Sequence, residues 1–159
     1  MQEKIKINFG SGHWKLDGWV NVDYDLESKP DVGADLSVGL PFRSGVADLI
    51  HTEDFIDQLE LENAERFMQE CFRILVPGGV LRVLTPDLRE LASLYLNDPN
   101  QLKTMWNEYV GVPTRLGTAG EILNLGMRFA GHTFLYDEES FKELAWRCGF
   151  QPRKVQYRQ

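Results

Sequence analysis

The sequence predicts an α/β fold in three layers, with a mostly parallel open sheet and helices on both of its faces. Strand patterns alternate with helix patterns along most of the 159 residues, which is typical of a sheet whose strands are joined by helical crossovers. Two strand patterns, "ADLIHT" at 47–52 and "GVLRVL" at 79–84, are nearly continuous apolar runs and predict strands buried on both faces. We expect a single domain spanning residues 1–159.

The first two strands are predicted on either side of a glycine-rich turn. "KIKINF" at 4–9 alternates and then becomes apolar before Gly10, and "GWVNVD" at 18–23 is rich in β-branched residues and ends at Asp23. Few residues separate Gly12 from the second strand. We therefore expect no regular helix in this connection.

Three helices follow from apolar spacing and end signals. Residues 62–75 carry apolar side chains three and four apart, and "PGG" at 77–79 ends that helix. Asp87 with Glu90 resembles a capping box and predicts a short helix after the "VLRVLTPD" strand.

The last predicted helix covers about 138–148. Asp137 is its expected cap and Gly149 its end. The segment "RKVQYR" at 153–158 then predicts a final strand.

The stretch 99–131 interrupts the alternation of strands and helices. Leu102, Met105, Trp106 and Tyr109 are spaced for one helix, "GVPTRLGTAG" has loop composition, and "EILNLGMRFAG" suggests a second helical piece. Because long insertions in compact domains are often functional lids, we predict a lid or a substrate-binding insertion here.

Composition excludes several classes of protein. The net charge of −7 disfavours nucleic acid as a partner, and the sequence has neither a long apolar run nor a signal-like start. We expect a cytoplasmic protein that does not bind membranes. Cys71 and Cys148 fall on apolar helix faces and are expected to be buried thiols, and no Cys or His spacing suggests a metal site.

The glycine turn and several polar residues fall at the ends of predicted strands. Gly10, Asp23, Asp35 and Thr52 are expected at the same edge of the sheet, where they converge on one elongated ligand. A carboxylate at the end of the second strand suits the two hydroxyls of a ribose. A dinucleotide is disfavoured, because Lys15 stands where the phosphate-binding motif has its third glycine and the following helix is missing.

The order of these motifs resembles that of class I S-adenosylmethionine-dependent methyltransferases, in the small branch with a shortened first helix. The resemblance covers nearly the whole chain, and its more specific pieces are "LPF", "RILVPGG" and "GHTFLYDEESF" followed by "GF". It implies a Rossmann-like fold, S-adenosylmethionine as cofactor and S-adenosylhomocysteine as product. The cofactor-binding residues it implies are Phe9, Gly10, Ser11, Gly12, Asp23, Tyr24, Asp35, Leu36, Thr52 and Glu53.

The resemblance also distributes these residues along the cofactor. It places Gly10, Ser11 and Gly12 at the methionine part and Asp23 at the ribose. Asp35 and Leu36 border the adenine, and Thr52 and Glu53 lie near the sulfonium.

The sequence departs from the pattern of this family at three places. Asn8 stands where relatives often have Asp or Glu, and Asp57 with Gln58 replaces a common Glu-His pair. The expected strand hairpin after Gly149 is reduced to "RKVQYR". The missing histidine puts any role that depends on it in doubt.

His132 in "GHTF" is the predicted catalytic base, which an oxygen acceptor would need. A hydrogen-bonded histidine that fixes the loop is the other role open to it, and His13 and His51 are weaker candidates. The leading prediction is a methyltransferase for a small-molecule or sugar-like acceptor. The alternatives are a non-catalytic cofactor- or partner-binding protein and a nicotinamide oxidoreductase. Neither the acceptor nor the oligomeric state follows from the sequence.

Overall fold

The computed structural model describes residues 4–155, which contain one five-stranded sheet. Its strands are β1 (Lys6–Phe9), β2 (Val20–Asp23), β3 (Val32–Gly33), β4 (Ala47–Glu53) and β5 (Leu75–Leu84). All neighbouring strands are parallel, and their spatial order is β3-β2-β1-β4-β5. The predicted α/β fold with a parallel sheet is confirmed.

Five α-helices accompany the sheet in the described part of the chain. They are α1 (Leu61–Ile74), α2 (Leu88–Asn97), α3 (Pro99–Met105), α4 (Ala119–Gly126) and α5 (Glu138–Arg147). The caps agree with the prediction: the Asp87 side chain accepts hydrogen bonds from the first amides of α2, and Asp137 forms a capping box with Ser140 at the start of α5. No helix within residues 4–155 is long and apolar enough to cross a membrane.

Three sequence predictions need correction. The third strand ends at Gly33, so Asp35 lies beyond it in the following loop. Strand β5 is not buried on both faces, because it forms an edge of the described sheet and Val80 is half exposed. Residues 153–155 form no strand, and the rest of the predicted strand "RKVQYR" lies outside the described residues.

The main core lies on one face of the sheet. Ile7, Phe9 and Ile50 are fully buried there, together with apolar residues of α1 and α5. The Phe9 ring packs edge-on against Phe67 of α1 at 5.7 Å between ring centres. Both cysteines, Cys71 and Cys148, are buried in this core as free thiols, as predicted.

A row of polar residues crosses the opposite face. Asn21, Asn8, His51 and Arg82 are register partners on the four adjacent strands β2, β1, β4 and β5. No helix lies between β1 and β2, and the segment 14–19 contacts this face instead. Asn8 donates to the carbonyl of Trp14, and the Trp19 ring packs edge-on against His51. A short loop without a helix therefore covers this face of the sheet, and the face carries polar side chains.

The stretch 99–131 is a packed helical unit and not an irregular loop. Helix α3 continues into a π-helical turn at Trp106–Val110, and α4 follows after a loop. A second apolar cluster joins this stretch to α2 and consists of Leu94, Leu102, Trp106 and Ile122. We call α2, α3, the π-turn and α4 the helical unit.

The polar row generates a prediction about pH and stability. Burial, with a smaller contribution from Arg82, lowers the pKa of His51 below its usual 6.5. The unfolded chain therefore binds a proton that the folded chain does not, and stability is lost as the pH falls below 6.5 toward the folded-state pKa. We expect His51→Gln to reduce this loss, as measured by urea midpoints of both proteins between about pH 5 and pH 7.5. An equal pH dependence in the two proteins would contradict the prediction.

Candidate functional site

The glycine turn after β1 is tied directly to the carboxylate at the end of β2. The amide of Gly12 donates to Asp23 Oδ2 at 2.7 Å, and the amide of Gly10 donates to the carbonyl of Val22 at 2.9 Å. Gly10 and Gly12 have φ angles of +65° and +45°, in the left-handed region that favours glycine. The turn is therefore held against β2 by its own backbone.

The two glycines differ in what surrounds them. A Cβ on Gly10 would come within 2.8 Å of the Phe55 side chain, whereas a Cβ on Gly12 would meet no atom within 4 Å. Gly10 thus permits close packing with the loop that follows β4, and Gly12 leaves space beside the turn. This space is what close approach of a ligand to the backbone requires.

Asp23 is buried, with its carboxylate held in place on both oxygens. Asp25 donates its amide to Oδ1 at 2.8 Å while Gly12 occupies Oδ2. Each carboxylate oxygen has a second lone pair for a further donor. This arrangement fits an acceptor for ribose hydroxyls, and Ala34 adjoins it by donating to the Asp23 carbonyl at 2.9 Å.

Asn8 and Asn21 brace the segment between the turn and β2. Asn8 donates to Asn21 Oδ1 at 3.1 Å and to the Trp14 carbonyl at 3.2 Å. Asn21 Oδ1 also accepts from the amide of Leu16 at 2.8 Å. A carboxylate at position 8 has no donor for these contacts, so the departure at Asn8 suits this chain's own loop.

The remaining predicted cofactor residues lie near the same edge, but some have buried side chains and others have exposed ones. Thr52 and Phe9 are register partners at the ends of β4 and β1, but the Phe9 ring lies in the core, which leaves only its backbone to border the turn. Leu36 is also buried in the core. Tyr24 is exposed, as are Asp35 and Glu53.

Three hydroxyls at this edge are buried without a protein partner. They are Ser11 Oγ in the glycine turn, Thr52 Oγ1 at the end of β4 and Thr85 Oγ1 directly after β5. Buried polar atoms are normally hydrogen-bonded, so these three point to a ligand or ordered water at the edge. With the open side of Gly12 and the fixed Asp23 carboxylate, the residues present fit an elongated nucleoside that carries no phosphate.

His132 contacts a carboxylate that the sequence did not single out as its partner. Its Nε2 lies 2.8 Å from Oδ2 of Asp57, whose side chain is fully buried. Its Nδ1 lies 3.0 Å from the Gly126 carbonyl, which can only accept, so Nδ1 carries a proton. Nδ1 is therefore hydrogen-bonded and Nε2 faces a buried carboxylate, which matches the loop-fixing role, and a catalytic role for His132 stays a prediction.

The loop after β4 carries a second unusual acid. Asp54 has a φ of +48°, which is rare for a residue other than glycine, and its amide donates to the Leu84 carbonyl at the end of β5. Partial burial and then Glu53 raise the pKa of the Asp54 carboxyl, and burial also raises the pKa of Asp57. Sequence reasoning missed Asp54 and noted Asp57 only as a departure from a Glu-His pair, because the partners of both acids are distant along the chain.

The other two histidines differ in their surroundings. His13 is exposed in the glycine loop, and His51 belongs to the polar row, where its Nε2 lies 3.5 Å from Glu53 Oε2. Within residues 4–155, no group of three or more His, Cys, Asp or Glu is placed to hold a metal ion.

Comparisons with known proteins bear on the family and the fold of the chain. Residues 21–83 match the family model described as a methyltransferase domain. This match and the fold support the class I S-adenosylmethionine-dependent methyltransferase family. The cofactor of this family is S-adenosylmethionine, as the resemblance implied. No curated protein matches the chain significantly in sequence.

Solved structures share the fold at low sequence identity. A SAM-dependent methyltransferase from Methanosarcina mazei is 16% identical with a TM-score of 0.57, over 93% of this chain and 80% of that one. The small RNA methyltransferase HEN1 is 17% identical with a TM-score of 0.54, over 92% of this chain but 19% of that one. These similarities establish the Rossmann-like methyltransferase fold.

The fixed carboxylate gives a direct test of the cofactor site. We expect Asp23→Ala to lose charge-assisted hydrogen bonds worth about 1.5–3 kcal/mol, which corresponds to a roughly ten- to hundredfold weaker affinity for S-adenosylhomocysteine. Calorimetry measures it, with Glu27→Ala, an exposed acid of the same segment, as control. An unchanged dissociation constant in folded Asp23→Ala would remove Asp23 from the site.

The buried pair gives a test of stability. His132→Ala leaves the Asp57 carboxylate buried without its counter-charge, and we expect it to lower the free energy of unfolding by about 3–5 kcal/mol. Asp57→Asn removes the charge but keeps a donor for Nε2, so its cost should be clearly smaller. Urea unfolding compares the two. Equal losses would show that the pair is not what stabilises this region.

Proposed function

We propose that the chain transfers a methyl group from S-adenosylmethionine to a small-molecule or sugar-like acceptor. One observation carries the cofactor part of this proposal: the Gly12 amide and the Asp23 carboxylate are joined at the carboxyl edge of a parallel sheet, with no helix after the turn to bind a pyrophosphate. Bound S-adenosylmethionine supplies a methyl group on a positively charged sulfur, which is activated for displacement.

The protein residues would then act mainly by orientation. Gly10, Ser11 and Gly12 would line the methionine part, and Asp23 would hold the ribose hydroxyls. Aligning the acceptor with the methyl carbon and excluding water would supply most of the rate enhancement. The helical unit, which includes most of 99–131, is our candidate for the cover that excludes water.

An oxygen acceptor also has a proton to lose. Both ring nitrogens of His132 face protein groups, whereas Asp54 is a solvent-accessible residue whose partly buried carboxyl has a raised pKa. A raised pKa makes a carboxylate a stronger base, and a strained backbone conformation is often retained at functional positions. Asp54 is therefore the better-placed proton acceptor, and an amine acceptor would need none.

Two observations favour a small acceptor over RNA. The net charge of −7 opposes binding to a phosphate backbone. The similarity to HEN1 extends over only 19% of that protein, so its RNA substrate does not carry over to this chain. A second candidate function is a cofactor-binding protein without turnover. It is favoured by the contacts of both His132 ring nitrogens with protein groups.

Cofactor choice is tested by thermal stability. We expect S-adenosylmethionine and S-adenosylhomocysteine to raise the Tm, since a ligand at about 100 times its Kd stabilises the folded state by about 2.7 kcal/mol. For a chain of this size that is a shift of about 5–10 °C. NAD and NADP at equal concentration serve as controls. A rise in Tm with NAD alone would favour an oxidoreductase. No change in Tm with any of the four compounds would refute a functional cofactor site.

Turnover is tested separately with S-adenosylmethionine labelled on the methyl group. We expect label to enter one member of a panel of small hydroxyl- and amine-bearing compounds and to be absent from RNA. Asp54→Asn should slow transfer to a hydroxyl and leave transfer to an amine largely unchanged. Transfer to RNA alone would overturn the proposed acceptor class, and cofactor binding with no transfer would favour the non-catalytic alternative.

A further inference from the structure

A continuous chain of contacts joins the glycine turn to the end of α4. Phe55, in the loop after β4, packs so closely on Gly10 that no Cβ fits between them. Two residues further on, Asp57 faces His132 at 2.8 Å, and the same histidine reaches the Gly126 carbonyl at 3.0 Å. Gly126 is the last residue of α4.

The link between Asp57 and His132 is short and shielded from solvent. The Asp57 side chain is fully buried and that of His132 is 6% exposed. Nδ1 donates to the Gly126 carbonyl, and Nε2 lies 2.8 Å from Asp57 Oδ2 in an electrostatic contact that lacks the alignment of a hydrogen bond. Because both side chains are buried, water does not compete for this contact.

The main chain holds only one end of this link. The amides of Thr133 and Phe134 donate to the Asp57 carbonyl at 2.8 and 3.1 Å, so the segment after His132 stays on the β4 loop without the imidazole. The His132 ring adds a direct connection from that loop to Gly126 and α4. Within the described residues, this ring bridges the β4 loop and the end of α4 through its two nitrogens.

We propose that Asp57 and His132 are positioning residues that couple occupancy of the cofactor turn to the placement of the helical unit. This rests on the proposed function, because it takes the glycine turn as the cofactor site. A ligand on the turn restrains Gly10 and thereby Phe55, and the Asp57–His132 pair passes that restraint to α4. The physical basis is this series of packed and charged contacts, and its strength is measurable as a coupling between two sites.

Hydrogen exchange with S-adenosylhomocysteine tests the coupling without a known acceptor. We expect the cofactor product to slow exchange of the amides in α4 about fivefold or more. In His132→Asn, whose amide keeps the Gly126 contact but does not reach Asp57, α4 should show no slowing, while the amides of the glycine turn remain protected. His132→Gln, which reaches Asp57 but not Gly126, should give the same result and serves if the first variant does not fold.

Asp57→Asn is the matched control. Its side-chain amide can donate to Nε2 of a neutral His132, which keeps both links while removing the buried charge. We expect the α4 response to survive in this variant, which separates a geometric link from a general effect of charge. If α4 exchange is no longer slowed by the ligand in Asp57→Asn, the geometric link is overturned.

Each result has a distinct meaning. If calorimetry detects no S-adenosylhomocysteine binding to the wild-type chain, the proposed function fails and the coupling with it. If the ligand binds and α4 exchange is unchanged in the wild type, or if slowing persists in His132→Asn and His132→Gln, the coupling is overturned while the cofactor site stands.

Discussion

The hydrogen bond from the Gly12 amide to Asp23 is the contact on which the ligand edge depends. It joins the end of β1 to the end of β2 without an intervening helix, and it fixes the Asp23 carboxylate at the candidate site. The turn accepts this geometry only because Gly10 and Gly12 have positive φ angles. The open side of Gly12 and the close packing of Phe55 on Gly10 both follow from that conformation.

Much of this arrangement follows from local sequence signals. The helix at 61–74, the caps at Asp87 and Asp137, and the absence of a helix before β2 are set by short-range spacing, turn chemistry and chain length. The ligand edge is predictable for the same reason, since parallel strands end together. The edge position of β5 and its exposure were not predictable, because an apolar strand at the edge of a sheet has the same sequence pattern as a central one.

The partner of His132 depends on tertiary structure that no local pattern encodes. Asp57 appears in the sequence as a departure from a Glu-His pair, and only the folded chain brings it to a histidine from a distant segment. The polar row on the sheet has the same origin. Asn8 and His51 interrupt apolar strands, and their partners become visible only once the register of the strands is known.

The two apolar clusters have different consequences for redesign. The cluster of Leu94, Leu102, Trp106 and Ile122 shares no buried residue with the core beneath the sheet. Substitutions that reshape this cluster therefore need not repack the core, provided that they keep the Gly126 carbonyl against His132. This modularity makes the helical unit a natural segment to exchange when acceptor preference is redesigned, because its own cluster can be replaced with it.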